Sequence, residues 1–374
     1  MMTNNMEIYV HVPFCVRKCD YCDFCSCNRA EMIRPYFLRL KEEIKEKSAR
    51  FNGGLPVDSI FFGGGTPTFP EAHFITETLD TIRAEFKVKD DAEITLEANP
   101  NSASFDKLVE YKEAGFNRLS IGLQAADNEE LKTLSRVHRY EDFLTTYENA
   151  RKAGLHNINI DIMTGIPGQT AKSLSDTLHK VTALNPEHIS AYSLIIEEGT
   201  PFYDRYKDGL GLPSEDEDRE MYRETGRILE SAGYHRYEIS NYARRGCECR
   251  HNIGYWTRRP YLGFGIAAAS FYEEVRYQKH RDLDKYVAGD FTEETEVLDR
   301  NGRMEEFMFL GLRMTEGISA AEFKENFGAD IDTEFPGAID KLKSEDLIQV
   351  AGDRVMLTEQ GLDLENYVTG HFIK

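Results

Sequence analysis

Three cysteines fall within eight residues, Cys15-Val-Arg-Lys-Cys19-Asp-Tyr-Cys22, directly after the strand-like run Tyr9-Val-His-Val-Pro-Phe. No other stretch narrows the possible folds as much. Thiolates are soft ligands suited to iron–sulfur clusters or zinc, and close spacing on one loop brings them together at little closure entropy. A count of three is informative, because a cubane cluster held by three cysteines keeps one iron open for another ligand. Zinc is the competing reading. Five of the seven cysteines lie between positions 15 and 27, and Cys247, Cys249 and His251 could supply the distant second pair that structural zinc sites use. The loop alone favours iron–sulfur, and its neighbours have to decide.

A chain of 374 residues can bury the core of one large α/β domain and a smaller one. It has no run of about 18 apolar residues that would cross a membrane. The start, Met-Met-Thr-Asn-Asn-Met-Glu, lacks the basic and apolar segments of a signal peptide. Clustered thiols without an export signal lead us to expect a cytoplasmic protein. A formal net charge of −20 argues against a nucleic-acid or anionic-lipid partner.

Residues 29–50 carry Ile33, Phe37, Leu40 and Ile44 on one helical face. Ser59-Ile-Phe-Phe then reads as a buried strand running into Gly63-Gly64-Gly65-Thr66-Pro67-Thr68. Glycines at a strand end permit close backbone approach to a ligand and are expected to leave N–H groups free for a carboxylate or phosphate. Further strands are expected at 93–98, 118–122, 157–163 and 188–194, separated by helix-length segments. That alternation predicts a parallel sheet, with the site at the C-terminal ends of its strands. The polar residues there are Glu97, Gln124, Arg136 with His138, and Asp161. Each could be no more than a helix cap or a surface ion pair. Taken together, a cation, a carboxamide and two carboxylates make a plausible ligand cradle.

The Cys-x3-Cys-x2-Cys spacing after a first strand resembles the radical S-adenosylmethionine (SAM) superfamily, and the glycine run resembles its second signature. That resemblance implies a partial six-stranded (β/α) barrel and a 4Fe–4S cluster whose open iron chelates SAM. One electron from the cluster then splits the sulfonium to a 5′-deoxyadenosyl radical. Tyr-Val-His-Val-Pro-Phe-Cys, Phe-Gly-Gly-Gly-Thr-Pro-Thr, Leu-Glu-Ala-Asn-Pro, Leu-Ser-Ile-Gly-Leu-Gln, Arg-Val-His and Gly-Ile-Pro-Gly-Gln-Thr occur in this order. They resemble the oxygen-independent coproporphyrinogen III oxidase-like family from Tyr9 to about Tyr272. The resemblance implies Cys15, Cys19 and Cys22 as cluster ligands. Its SAM contacts fall on Tyr9, Tyr21, Gly64, Gly65, Thr66, Glu97, Gln124, Arg136, Asp161 and Ile195.

Two branches of that family are distinguishable. The oxidase carries an N-terminal arm and a further cysteine two residues after the third ligand. Here that position is Phe24, and only eight residues precede Tyr9. The spelling Cys22-Asp-Phe24 is that of the haem-chaperone branch, although Cys25 and Cys27 are additions to the pattern. His251-Asn-Ile-Gly-Tyr255-Trp256 resembles the haem-associated motif of the same branch, which implies His251 as a haem contact. An imidazole is a common axial ligand, and an aromatic pair offers flat apolar surface. A packed histidine beside the only tryptophan is the plainer alternative. Ala269 stands where the family usually has a second histidine.

Residues 273–301 read as an acidic connector. Residues 304–374 give three helix-like stretches and a hairpin, a winged-helix outline. With 15 acidic and 6 basic residues, net −9, that segment has the wrong sign for DNA and reads as a lid or docking domain. The expected organisation is therefore α/β: residues 1–235 as the barrel, 236–303 as an extension carrying the His251 motif, and 304–374 as a winged-helix-like α+β domain. The expected function is a haem chaperone that binds haem, the cluster and SAM. Its partners would be acceptor haemoproteins, membrane respiratory enzymes among those the family implies, and an electron-donor protein. The alternative is the coproporphyrinogen III oxidase itself.

Overall fold

The structure, a computed structural model, describes residues 5–51 and 54–374. Six parallel strands lie side by side in chain order: β1 (Met6–Val12), β2 (Val57–Gly64), β3 (Val88–Ala98), β4 (Arg118–Gln124), β5 (Asn157–Thr164) and β6 (His188–Ser193). Helices including Ile33–Arg50, Ala72–Glu85, Phe105–Glu113, Tyr140–Lys152 and Ala171–Ala183 connect them. Most fully buried parallel strands are apolar throughout, but these alternate. Ile8, Val10 and Val12 on β1, Ile60 and Phe62 on β2, and Ile158, Ile160 and Ile162 on β5 join one core with the helices. Side chains of the opposite phase therefore face the barrel interior. Apart from Phe61 on β2 and Met163 on β5, most are polar: Glu7, Tyr9 and His11 on β1, Ser59 on β2, Glu93 and Glu97 on β3, Arg118 and Ser120 on β4, Asn159 and Asp161 on β5, His188 and Ser190 on β6. Burying that many polar groups is tolerable only if they bond one another or a ligand.

Later residues extend this sheet at both edges. Strands β7 (His235–Arg236) and β8 (Asn241–Ala243) add antiparallel beside β6. On the other side β9 (Tyr261–Phe264) pairs parallel with β1, followed by β10 (Ala269–Tyr272), β11 (Val275–Lys279) and β12 (Glu293–Val297) in antiparallel order. The stretch expected to be a connector is thus two strands and a short helix, Leu283–Val287. What anchors it is a buried ion cluster: Glu293 meets Lys47 at 2.5 Å, and Lys279 meets Glu43 at 2.9 Å. The lysine of the first helix lies 246 residues before its partner, so local sequence carries no trace of the pairing. Exposed Glu294 and Glu296 on the edge strand supplied the acidic appearance.

The C-terminal unit begins with helix Arg300–Gly311, capped by Asp299. Its three-stranded antiparallel sheet runs β13 (Ile318–Ser319), β15 (Arg354–Leu357), β14 (Ile348–Ala351). It has its own core, including Met304, Met308, Leu312, Phe323, Leu342 and Phe372. Contact with the barrel is made through Thr315, whose N–H donates to the Tyr237 carbonyl at 3.0 Å, and through Arg313, whose guanidinium lies 4.6 Å from the Trp256 ring.

Candidate cofactor site at the barrel mouth

The cysteine loop leaves β1 and is closed by backbone bonds. Cys15 N–H donates to the Cys27 carbonyl at 2.8 Å, and Cys27 N–H to the Pro13 carbonyl at 2.7 Å. His11 Nε2 bonds the Cys25 carbonyl at 2.7 Å. Cys27 therefore shapes the loop through its main chain, while Cys25 does so and also lines the cavity, its Sγ donating to the Arg281 carbonyl at 3.8 Å. Cys15, Cys19 and Cys22 line a cavity of about 620 Å³, and so do all ten SAM positions implied by the resemblance: Tyr9, Tyr21, Gly64, Gly65, Thr66, Glu97, Gln124, Arg136, Asp161 and Ile195. Ile195 sits at the edge and is 67 % exposed.

Around the thiols, Thr66 Oγ1 is 3.4 Å from Cys15 Sγ, and Arg136 Nη1 is 3.7 Å from Cys19 Sγ and 3.4 Å from the Tyr21 hydroxyl. The other arm of Arg136 donates to Asn99 Oδ1 at 2.6 Å and to the Gly122 carbonyl at 2.8 Å. Its Nε is buried with no partner among the described residues. Burial pushes the Cys22 thiol up to about 11. Glu97 is raised to about 8, first by burial and then by the charge of Asp161. Burial likewise raises Asp161. These two carboxyls suit a cationic, hydroxyl-bearing ligand, because both can exchange an uncomfortable desolvated charge for a partner.

The glycine run works differently from expectation. Its amides are taken rather than left for a ligand: Gly64 N–H donates to Glu97 Oε2 at 3.1 Å, Gly65 to the Val12 carbonyl and Thr66 to the Phe14 carbonyl. Gly64 is needed for another reason. Its φ is +111°, and a Cβ there would sit 2.5 Å from the His11 ring. Sequence reasoning also missed the supporting residues Asn99, which ties Thr66 to Arg136, and Tyr192, whose hydroxyl donates to Gln124 Oε1 at 2.9 Å. Asn99 was visible within Glu-Ala-Asn-Pro. Tyr192 had no local signal.

His251 is not brought to this cavity. It lies on helix Arg250–Trp256, which covers the opposite part of the barrel interior, and is 1 % exposed. Nδ1 bonds Ser59 Oγ at 2.9 Å, Nε2 bonds the Tyr255 hydroxyl at 3.0 Å, and the ring stacks on Phe61 at 5.1 Å. In this arrangement neither nitrogen presents a lone pair to a metal.

The thiols of Cys15, Cys19 and Cys22 line one polar cavity and fit a cluster, while no three His, Cys, Asp or Glu side chains among the described residues converge as one metal ion would require. A single zinc ion is therefore disfavoured, whereas a cubane spreads its cysteines over separate irons. Fold and site together define a radical SAM protein. The Radical SAM superfamily pattern matches residues 9–181, and the HemN C-terminal domain pattern matches residues 298–364. Over 373 residues the chain is 37% identical to the heme chaperone HemW of Bacillus subtilis, covering 98% of each. To HemW of Lactococcus lactis it is 32% identical, over 100% of this chain and 98% of that one. It belongs to this HemW family. Among solved structures, coproporphyrinogen III oxidase (HemN) from Escherichia coli superposes with a TM-score of 0.86 at 24% identity, over 98% of this chain and 89% of that one, which bears on the fold.

Membership brings the 4Fe–4S cluster and SAM. Cys15, Cys19 and Cys22 would hold the cluster, and the polar set at the mouth would hold SAM. Arg136→Ala and Asp161→Ala should weaken SAM binding while leaving the iron content unchanged. Each lost bond to a charged group costs roughly 1.5–3 kcal/mol, about 10- to 150-fold in affinity. Calorimetry on the reconstituted protein checks this; unchanged affinity in both variants would return these side chains to a capping role.

Proposed function

We propose that this chain is a cytoplasmic haem chaperone, which binds haem and passes it to acceptor haemoproteins, with membrane respiratory enzymes as candidate acceptors and a separate protein as electron donor. The observation that carries this reading is the 37% identity to a heme chaperone along 98% of both chains. The described residues contain no helix long and apolar enough to cross a membrane. When bound, the cluster supplies an electron and SAM a cleavable sulfonium; the chain's own residues orient them and shield them from water.

Haem is flat, apolar and carries two propionates. The mouth offers a matching surface: Phe24, 66 % exposed, and Ile195 give apolar contact, while Arg17 and Lys18 line the same opening and can pair with carboxylates, beside Arg281, which already pairs with Asp23 at 3.5 Å. These cations stand out on a chain of net charge −20. Phe24 also occupies the position where the oxidase branch has its extra cysteine. His251 would first have to leave Ser59 and Tyr255 to reach a haem iron.

Haem added to the anaerobic protein should give a Soret band that saturates near one equivalent, weakened by Phe24→Asp. With coproporphyrinogen III, SAM and a strong reductant, no vinyl product should form. Turnover without saturable haem binding would assign the chain to the oxidase branch instead.

A further inference from the structure

Behind Asp161 lies a line of buried polar groups that neither the cluster nor the expected SAM contacts use. Cys249 N–H donates to the Tyr237 hydroxyl at 3.3 Å, and that hydroxyl lies 2.8 Å from His188 Nε2. His188 Nδ1 is 2.6 Å from Asn159 Oδ1, and Asn159 Nδ2 donates to Asp161 Oδ1 at 2.7 Å and to Ser120 Oγ at 2.8 Å. Ser190 Oγ donates to the same Asn159 Oδ1 at 3.1 Å, and Ser120 Oγ donates to Asp161 Oδ2 at 3.2 Å. His188 is fully buried and Asn159 is 2 % exposed.

Donor and acceptor identities give this line one direction. An amide oxygen only accepts, so His188 must carry its proton on Nδ1. Its bare Nε2 then accepts from Tyr237. Two donors on Asn159 Oδ1 lock the amide, because a flip would turn that oxygen toward the Asp161 carboxylate and strand both donors. The locked Nδ2 and Ser120 hold one edge of each carboxylate oxygen and leave the remaining lone pairs to the cavity. Strand pairing alone would place the Asp161 backbone; the amide decides how its carboxylate faces.

We propose that Asn159 and His188, aligned by Tyr237, are positioning residues that orient Asp161 for SAM and tie the segment carrying Cys249 and the His251 motif to the SAM site. This rests on the reading of Asp161 as a SAM contact. The titratable and charged groups around this pair are Glu97, Arg118 and Tyr192 about Asp161 and His188 against Asn159.

The test is SAM calorimetry on the full-length, cluster-loaded protein at about pH 6 and about pH 8. Asn159→Asp keeps the shape but places a second carboxylate against Asp161. The pair can share a proton at the lower pH and repel at the higher. Its SAM affinity relative to the parent should therefore change about tenfold between the two conditions. A ratio that does not move with pH overturns the proposal. Tyr237→Phe removes one oxygen and decides the question if the first variant fails to fold: about fivefold weaker SAM binding at unchanged iron content is expected, and unchanged binding overturns it. Asp161→Ala is run alongside. If it too leaves SAM binding unaltered, the SAM reading of Asp161 has failed; if it alone weakens binding, only the positioning role has.

Discussion

Replacing Cys15, Cys19 or Cys22 by Ala should abolish the visible absorption of the anaerobically reconstituted protein, while Cys25→Ala and Cys27→Ala keep it largely intact. The first three thiols line the mouth cavity beside Thr66 and Arg136, with each expected to serve a different iron, whereas the Cys25 thiol, which lines it too, is turned to the Arg281 carbonyl at 3.8 Å. Losing one leaves an iron without its protein ligand and the cubane without an anchor. Cys27 contributes its backbone, bridging Pro13 and Cys15, and Cys25 contributes the carbonyl that His11 holds. Those bonds survive removal of a side chain. Iron and sulfide analysis beside the spectra checks the result, and complete cluster loss in Cys25→Ala or Cys27→Ala would sink three-cysteine ligation.

His251→Ala should destabilise the fold by about 3–5 kcal/mol. The substitution leaves a cavity against Phe61 and strips buried partners from Ser59 and Tyr255. A fall of several degrees in the unfolding midpoint of the metal-free protein would register it; an unchanged midpoint would show that the imidazole is not a core group in solution. The consequence for haem is practical. Loss of the Soret band in His251→Ala alone cannot separate a lost ligand from a loosened barrel. His251→Gln retains polar atoms at the site, so a changed haem spectrum in that stably folded variant is the result that would assign His251 a ligand role.

Features with a local cause were legible in the amino-acid sequence. Cysteine spacing is a property of one loop. Glu97, Gln124 and Asp161 converge because regular strand–helix alternation makes a parallel sheet, whose strands all end on the same side. That rule needs no knowledge of any particular contact, and it collected the mouth residues correctly. Which polar groups already had partners was settled only by the folded chain. His251 looked available as a ligand until Ser59, 192 residues earlier, and Tyr255 took both its nitrogens. The glycine amides looked free until Glu97, Val12 and Phe14 accepted from them. The acidic stretch after Glu273 looked like a linker until Lys47 and Lys279 buried Glu293 within the sheet edge. In each case at least one deciding partner comes from elsewhere in the chain, and inside a barrel a buried donor or acceptor must be satisfied by whichever group the fold brings near, however distant in sequence.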